Sequence, residues 1–451
     1  MARLFGTDGA RGVAITELTC ETAMQIGRAA ALVLTKHTAH KAKIFIGKDT
    51  RISSDILESA LCAGICSVGA DAVILGVVPT PAVAMLVKKY NADAGVMISA
   101  SHNSVEFNGI KLFAHDGYKL SDEIEEEIEA LILDTPEVLT DNLKNGTEVG
   151  RITRKETAAD EYIDYIRSAV PTDLSGIKLA VDCAEGSSSV TAEKLFSQMG
   201  AEVLCISSSP DGTNINDKCG STHMENLCAF VKENKCDLGV AFDGDADRCL
   251  AVDENGEIVD GDKLIAIFAK AMNAEGTLKN STAVVTVMTN IGFKKFAKEN
   301  NISVESTKVG DRYVLERMKE GNFNLGGEQS GHIIFLDDAT TGDGELSAAK
   351  LLSFYKKSGK KMSELASVME RYPQVLVNVK IKAEWKNKLG EIEEITECIS
   401  KNEKKLGDDG RILVRESGTE PLIRVMVEGR EQNEINDIAE EIADTVKKIM
   451  V

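Results

Sequence analysis

Residues 43–98 read KIFIGKDTRISSDILESALCAGICSVGADAVILGVVPTPAVAMLVKKYNADAGVMI, and this stretch decides the fold class. Short apolar runs at 43–47, 72–75 and 94–98 have the length of buried strands, and the segments between them have helical periodicity. Strands that are spaced by helices of this length are typical of βαβ units and a parallel sheet. The sequence therefore predicts an α/β domain around this stretch.

The alternation of strands and helices restarts near Ile177 and again near Gly261. The last block differs, because residues 411–428 read as two alternating strands around a turn and residues 432–449 as an amphipathic helix. We therefore expect an α/β protein with three successive α/β domains, each with a mixed sheet, and a small C-terminal α+β domain. The expected boundaries are 1–160, 161–258, 259–372 and 373–451.

Composition and charge limit the partners of this chain. It has 451 residues with 52 Lys and Arg against 72 Asp and Glu, which gives a formal net charge of −20. Such a surface repels nucleic acid, so an anionic ligand needs a local cluster of cations. No apolar run approaches the ~20 residues that span a bilayer. The ten cysteines contain no CxxC pair, and we expect a cytoplasmic protein that binds neither nucleic acid nor a membrane.

The first polar segment, GVMISASHNSVEFNGIKLF at 95–113, offers a candidate nucleophile. Ser101 follows an apolar strand and has His102 beside it, and a serine needs a base or a prior modification to act in catalysis. No Gly-x-Ser-x-Gly elbow is present, so a hydrolase triad has little support. A plain polar turn between two elements explains the segment equally well.

The second polar segment, LGVAFDGDADRCLAVD at 238–253, predicts a metal site. Asp243, Asp245 and Asp247 alternate directly after an apolar strand, and Mg²⁺ favours a few carboxylates together with phosphate oxygens. An EF-hand is excluded because Arg248 stands where that loop needs glycine and because a strand precedes the motif. A surface turn is the alternative, but three close carboxylates would repel one another without a cation.

Two later segments carry groups that could bind a sugar phosphate. In GGEQSGH at 326–332, Glu328, Ser330 and His332 offer an acceptor, a hydroxyl and an imidazole at alternate positions. That set suits a polyhydroxylated ligand such as a sugar, and a glycine-rich hairpin with chance polar residues is the alternative.

The segment RILVRESGTEPLIRV at 411–425 places Ser417, Gly418 and Thr419 in a turn between Arg415 and Arg424. Backbone N–H groups, hydroxyls and guanidiniums are the groups that bind a phosphate dianion. An ordinary hairpin with arginines on its solvent face is the alternative. In the opening FGTDGARG at 5–12, Arg11 is either a further cation of the site or a surface residue.

Taken together, SASHN, DGDADR, GGEQSGH and RESGTEP resemble the α-D-phosphohexomutase superfamily. They occur in that superfamily's order and along nearly the full chain. SASHN, GGEQSGH and the FGTDGARG opening are similar to its amino-sugar branch. One departure is Ser104, which stands where the superfamily usually has proline. This serine leaves the loop at residues 99–104, which we call the serine loop, less rigid.

The resemblance implies roles for the residues of these motifs. Ser101 carries the phosphoryl group, and its phosphate oxygen joins Asp243, Asp245 and Asp247 in holding one Mg²⁺ per chain. The implied catalytic residues are Ser101, His102, Lys111, Arg11 and Arg248. The implied substrate-binding residues are Glu328, Ser330, His332, Gly310, Asp311 and Arg312, and the implied phosphate-binding residues are Arg415, Ser417, Gly418, Thr419 and Arg424.

The resemblance also implies an activity, the interconversion of glucosamine 6-phosphate and glucosamine 1-phosphate through a sugar 1,6-bisphosphate, which is also the expected activator. His102, Lys111 and His332 are the candidates for the base. The implied partners are small sugar phosphates and, in a homodimer, a second copy of the chain. The competing interpretations are a mutase of neutral hexose phosphates, a metal-dependent phosphatase and a sugar-phosphate sensor without catalysis.

Overall fold

The computed structural model describes residues 4–6, 8–36, 38–386, 388–416 and 421–451. The chain forms two compact units, one of residues 1–288 with 302–368 and one of residues 289–301 with 369–451. Three of the four sheets belong to the first unit and the fourth belongs to the second. Within the described ranges, no helix is both long enough and apolar enough to cross a membrane.

The first sheet has six strands and is accompanied by five helices. The strands are β1 (Ala10–Val13), β2 (Lys43–Lys48), β3 (Asp71–Val77), β4 (Ala94–Ile98), β5 (Phe107–Ala114) and β6 (Ile152–Arg154), and the helices are α1 (Cys20–Leu34), α2 (Ile52–Ser67), α3 (Thr80–Tyr90), α4 (Asp122–Leu133) and α5 (Pro136–Asp141). Their order is β1-β5-β4-β2-β3-β6. β2 is parallel to β3 and β4, as predicted, whereas β5 is antiparallel to β4 and β1.

The second sheet has five strands. They are β7 (Lys178–Asp182), β8 (Glu202–Ile206), β9 (Leu238–Phe242), β10 (Cys249–Asp253) and β11 (Ile258–Val259), with helices α6 (Ala158–Ala169), α7 (Ala192–Gln198) and α8 (Glu225–Asn234). The order is β11-β10-β9-β7-β8, with β8 and β9 parallel to β7 and with β10 antiparallel to β9. The tight connection between β9 and β10 carries the three aspartates of the predicted metal site.

The third sheet has four strands in the order β13-β12-β14-β15. The elements of this stretch are α9 (Gly261–Ala274), β12 (Thr282–Thr286), α10 (Ile291–Glu299), β13 (Ser303–Thr307), α11 (Asp311–Gly321), β14 (Leu325–Gly327), β15 (Ile333–Phe335), α12 (Gly344–Ser358) and α13 (Met362–Ala366). α10 belongs to the second compact unit. β14 and β15 form an antiparallel hairpin, and residues 328–332 of the GGEQSGH segment form its turn.

The second unit contains an antiparallel sheet of three strands in the order β16-β18-β17. Its elements besides α10 are β16 (Gln374–Lys380), α14 (Glu393–Leu406), β17 (Arg411–Glu416), β18 (Leu422–Glu428) and α15 (Gln432–Met450). The apolar stripe of α15, with Ile435, Ile438 and Ile442, packs on the sheet in one buried core. The four sheets confirm the fold class that the sequence predicts.

Candidate active site and metal centre

Ser101 lies in the loop that follows β4. Its hydroxyl donates a hydrogen bond to Asp243 Oδ2 at 2.7 Å and lies 3.3 Å from His102 Nδ1. The side chain is buried, and the backbone of Ser101 has a φ of 53°. A left-handed conformation at a residue other than glycine costs about 1–3 kcal/mol and persists only where the surroundings hold it. The structure therefore holds this serine in a fixed and strained position.

Two donors from other parts of the first unit hold the carbonyl groups of the serine loop. Arg51 Nη2 donates to the carbonyls of Ser101 at 3.1 Å and Asn103 at 2.7 Å, and Arg51 Nη1 donates to the carbonyl of Ser104. Asn216 Nδ2 donates to the carbonyls of Ser101 and Asn103 at 2.9 Å. We call Arg51 and Asn216 the carbonyl clamp. The loop that carries Ser104 in place of proline is held through these bonds.

The three aspartates of the connection between β9 and β10 converge as the sequence predicts. Asp243, Asp245 and Asp247 are buried, and each offers a carboxylate oxygen within 4.8 Å of the others. Burial together with Asp247 and Asp245 raises the pKa of Asp243 to about 7. Carboxylates this close repel one another in the absence of a compensating charge.

The donor set fits a hard divalent cation. Asp245 Oδ1 and Asp247 Oδ1 are buried and have no hydrogen-bond partner among the described residues. An unpartnered carboxylate oxygen in a buried site is costly, and a bound cation removes that cost. Three carboxylates without a nitrogen or sulfur ligand favour Mg²⁺ or Mn²⁺ over softer metals.

Lys111 on β5 supplies a buried cation to the same site. Its Nζ lies 2.7 Å from Asp245 Oδ2, 3.6 Å from Asp247 Oδ2 and 3.5 Å from Asp8 Oδ2. Burial alone would lower the pKa of Lys111, but the carboxylates of Asp245, Asp8 and Asp247 outweigh burial and raise it. Lys111 is therefore a fixed positive charge beside the aspartates.

Two arginines and one histidine complete the surroundings of Ser101. Arg248 Nη1 donates to His102 Nδ1 at 3.1 Å, and Arg248 Nε lies 3.9 Å from Asp243 Oδ2. Arg11 is paired with Asp8. The Nε groups of both arginines are buried and lack a hydrogen-bond partner within the described ranges. Burial, Arg248 and Arg11 lower the pKa of His102 to about 4.

His332 joins the GGEQSGH turn to the metal loop, which we define as residues 243–247. Its Nδ1 lies 3.6 Å from Asp247 Oδ2, and its Nε2 accepts a hydrogen bond from the N–H of Gly342 at 3.1 Å. A side chain at Gly342 would lie 2.5 Å from the imidazole, so this close approach requires glycine. Burial opposes protonation of His332, but Asp247 and Asp311 outweigh it and raise the pKa of His332.

The other predicted substrate residues are only partly brought together. Glu328 Oε1 accepts a hydrogen bond from the N–H of Gly310 at 3.0 Å, and Asp311 lies 3.6 Å from His332 Nε2. Ser330 is exposed at the turn. Arg312 binds instead to the carbonyl of Leu120 and to the carboxylates of Asp122 and Glu125 on and beside α4.

Arg415 and Arg424 face each other across the β17–β18 pair of the second unit. Burial and the neighbouring Arg424 lower the pKa of Arg415. Arg424 Nε is buried and has no hydrogen-bond partner in the part of the chain that the structure describes. Two facing guanidiniums repel each other, and a bound anion relieves that repulsion. Ser417, Gly418 and Thr419 lie outside the described residues.

Sequence reasoning missed several residues that support the site. Arg51, Asn216 and Thr80 contact the serine loop or the metal loop from distant positions. Lys119 Nζ lies 2.6 Å from both Asp8 Oδ1 and Asp311 Oδ2. A proline on each side of Thr80, in PTP at 79–81, was the one local signal that marked that position as special.

Comparisons with known proteins define the class as a phosphohexomutase, an isomerase of sugar phosphates. Models of the phosphoglucomutase/phosphomannomutase domains I, II, III and IV match residues 2–138, 160–256, 260–372 and 376–445. The chain belongs to the phosphoglucomutase/phosphomannomutase family. Phosphoglucosamine mutases from Thermoanaerobacter sp. (strain X514) and Clostridium novyi (strain NT) are 54% and 53% identical to it, over 99% of this chain and of each relative.

Solved structures with the same fold are more distant in sequence. A phosphoglucomutase/phosphomannomutase family protein from Burkholderia thailandensis superposes with a TM-score of 0.80 at 22% identity, over 99% of this chain and 98% of that one. Aspergillus fumigatus N-acetylphosphoglucosamine mutase, solved with GlcNAc-6P and magnesium, gives a TM-score of 0.72 at 18% identity, over 100% of this chain and 96% of that one. These likenesses establish the fold.

Proposed function

We propose that this enzyme interconverts glucosamine 6-phosphate and glucosamine 1-phosphate with Ser101 as the phosphoryl carrier. The observation that carries the proposal is the Ser101 hydroxyl at 2.7 Å from Asp243 Oδ2, in a buried site that also contains Lys111 and Arg248. Phosphoryl transfer depends mainly on positioning and on charge neutralisation. The site supplies a fixed hydroxyl, cations and a place for a divalent ion.

The expected cofactor is one Mg²⁺ per chain. Asp243, Asp245 and Asp247 would hold it together with a phosphate oxygen on Ser101, and the two unpartnered carboxylate oxygens support this assignment. Bound there, Mg²⁺ neutralises negative charge on the phosphoryl oxygens. The remaining charge on the transferred group is balanced by Lys111 and by the buried Nε groups of Arg11 and Arg248, which have no hydrogen-bond partner among the described residues.

The reaction has two transfers. In the first, the bond between phosphorus and Ser101 Oγ breaks and Oγ takes up a proton, while a bond forms between phosphorus and O1 of glucosamine 6-phosphate and the O1 proton passes to a base. In the second, the bond between phosphorus and O6 of the bisphosphate breaks and O6 takes up a proton, while a bond forms between phosphorus and Ser101 Oγ and the Oγ proton passes to a base. Lys111 is held as a cation by three carboxylates, so His102 and His332 are the better candidates for the proton transfers.

The rates of mutase turnover on different sugar phosphates test this proposal. We expect efficient turnover of glucosamine 6-phosphate, slower turnover of glucose and mannose 6-phosphates, and no turnover by Ser101→Ala with any of them. The second candidate, a phosphoglucomutase or phosphomannomutase, is favoured by the name of the matching domain family. Faster turnover of either neutral hexose phosphate would establish that candidate and overturn ours.

Three further features belong to this proposal. A sugar 1,6-bisphosphate is the expected activator, because it can phosphorylate a free Ser101. The cytoplasm is the expected location, because all ten cysteines are free thiols, as is usual in a reducing compartment. A homodimer is the expected assembly, and light scattering of the purified enzyme tests it directly.

A further inference from the structure

We propose that Thr80 is a positioning residue that fixes the orientation of the Asp245 carboxylate toward the metal ion. Thr80 Oγ1 donates a hydrogen bond of 2.5 Å to Asp245 Oδ2, and both side chains are fully buried. The backbone N–H of Thr80 also donates to the carbonyl of Asp245 at 2.9 Å. One residue of the first sheet's domain therefore holds both the main chain and the side chain of one aspartate in the metal loop.

The position of Thr80 in the chain makes this contact rigid. Thr80 is the first residue of α3, between Pro79 and Pro81, and the proline rings restrict the backbone on both sides. The first N–H groups of a helix have no partner within the helix, and Asp245 supplies one for Thr80. The positive end of the α3 dipole also faces a carboxylate.

The hydroxyl of Thr80 determines which oxygen of Asp245 remains available. Oδ2 accepts from Thr80 Oγ1 and from Lys111 Nζ at 2.7 Å, so both lone pairs of this oxygen are used. Oδ1 is buried with no hydrogen-bond partner among the described residues. Thr80 and Lys111 thereby commit Asp245 to binding a cation through Oδ1 alone.

The metal loop packs directly against the serine loop, so the orientation of Asp245 affects the position of the cation relative to Ser101. A side chain at Gly244 would lie 2.6 Å from the carbonyl oxygen of Ser101, so the two loops are in direct contact. A small rotation of Asp245 would therefore displace the cation relative to Ser101. Partners that orient metal ligands typically contribute 10–100-fold to metal affinity or activity.

The inference rests on the proposed metal site and is tested by metal affinity as well as by activity. Thr80→Val keeps the shape and the backbone N–H but removes the hydroxyl, and Thr80→Ser restores the hydroxyl. Thr191→Val is the matched control, because the Thr191 hydroxyl donates to another buried carboxylate, that of Glu345. The probe is Mn²⁺, which prefers the same oxygen ligands as Mg²⁺ and is detected by its paramagnetic resonance signal.

We expect wild type, Thr80→Ser and Thr191→Val to bind Mn²⁺ with dissociation constants within threefold of one another. Thr80→Val should bind it at least tenfold more weakly, in line with the usual effect of such partners. Its kcat should fall while KM for glucosamine 6-phosphate changes less than twofold, and added Mg²⁺ should recover part of the activity. A folded Thr80→Val with the wild-type dissociation constant would overturn the inference.

Two further outcomes keep this test decisive. If Thr80→Val does not fold, Thr80→Ala is the second variant without a hydroxyl, and the same loss of Mn²⁺ affinity is expected of it. If the wild-type enzyme itself binds no Mn²⁺, the proposed metal site is wrong and the role of Thr80 falls with it. If instead the wild-type enzyme binds Mn²⁺ and the Thr80 variant binds it equally well, the metal site stands and only the role of Thr80 is wrong.

Discussion

The hydroxyl of Ser101 donates to Asp243 at 2.7 Å although the two residues are 142 positions apart in the chain. Ser101 follows β4 of the first sheet, and Asp243 follows β9 of the second. Asp243 comes directly after β9 and Ser101 comes three residues after the end of β4, and the contact brings the serine loop to the metal loop. In the proposed mechanism, the first sheet thus supplies the phosphoryl carrier, and the second supplies the carboxylates that would hold the ion beside it.

Removal of the divalent cation should abolish phosphoryl transfer and leave the fold intact. The three carboxylates are buried in the connection between β9 and β10, while the charge on a phosphoserine beside them needs compensation. Mg²⁺ at 100 times its dissociation constant should raise the free energy of unfolding by about 2.7 kcal/mol. After chelation, an activity assay measures phosphoryl transfer, and circular dichroism measures the fold and its unfolding. Full activity in thorough chelation would contradict the account.

Arg51→Lys should cost both activity and stability. Lysine cannot bond to the carbonyls of Ser101, Asn103 and Ser104 at once, and a misplaced Ser101 should lower kcat roughly 100-fold. Lysine keeps the positive charge but loses the hydrogen bond from Arg51 Nε to the buried Asp49, so the free energy of unfolding should fall by about 1.5–3 kcal/mol.

Asn216→Ala separates these two effects, because it removes the other half of the carbonyl clamp without disturbing a buried ion pair. We expect it to lower kcat with a smaller loss of stability. Urea unfolding and steady-state kinetics on both variants provide the measurements. Wild-type kcat in both variants would show that the clamp does not position Ser101.

Glu345→Gln should stabilise the protein at neutral pH. Burial raises the pKa of Glu345 well above its usual value, although Thr191 donates to it. The folded state then binds more protons than the unfolded state above pH ~4.3, so stability falls by up to about 1.4 kcal/mol per pH unit as pH rises through this window. Glu345→Gln removes this dependence.

Asp343 adds a second part to the same pH profile. Burial raises the pKa of Asp343 to about 6. Its contribution to the free energy of unfolding is therefore present at pH 4 and is lost as pH rises through 6. This part should persist in Glu345→Gln. Urea unfolding from pH 4 to pH 9 separates the two groups, and parallel profiles for wild type and variant would refute the assignment to Glu345.

Arg424→Gln should weaken substrate binding and slightly stabilise the second unit. The two arginines at 415 and 424 repel each other in the free sheet, and loss of one relieves a few tenths of a kcal/mol. Loss of a charged hydrogen bond to phosphate should raise KM roughly 10-fold or more. Arg430→Gln is the control, since Arg430 is exposed and pairs with Asp409; equal KM values for the two variants would contradict the phosphate role.

Much of the fold can be predicted from the sequence, because local patterns of apolar and polar residues indicate strands and helices. The apolar runs at 43–47, 94–98 and 238–242 become β2, β4 and β9, and the three aspartates after β9 meet because one tight connection carries them all. Local patterns also explain the facing pair Arg415 and Arg424, since a hairpin fixes its own register.

The contacts that support the candidate active site could not be predicted from the sequence, because they join residues that are far apart in the chain. Thr80 reads as a proline-flanked break between two elements, and nothing near it indicates that it reaches Asp245, 165 positions away. Arg51 reads as a surface residue of a polar turn but is fully buried under carbonyl groups. Only the tertiary packing of the chain reveals such partners.

The most direct test of the account is the intact mass of the purified enzyme with the modified peptide mapped. The enzyme is incubated with glucosamine 1,6-bisphosphate and Mg²⁺ and is then mixed with glucosamine 6-phosphate. We expect one added phosphoryl group on Ser101 and its loss when glucosamine 6-phosphate is added. An enzyme that turns over with no phosphoryl group on Ser101, or with one on an aspartate, would contradict the central claim.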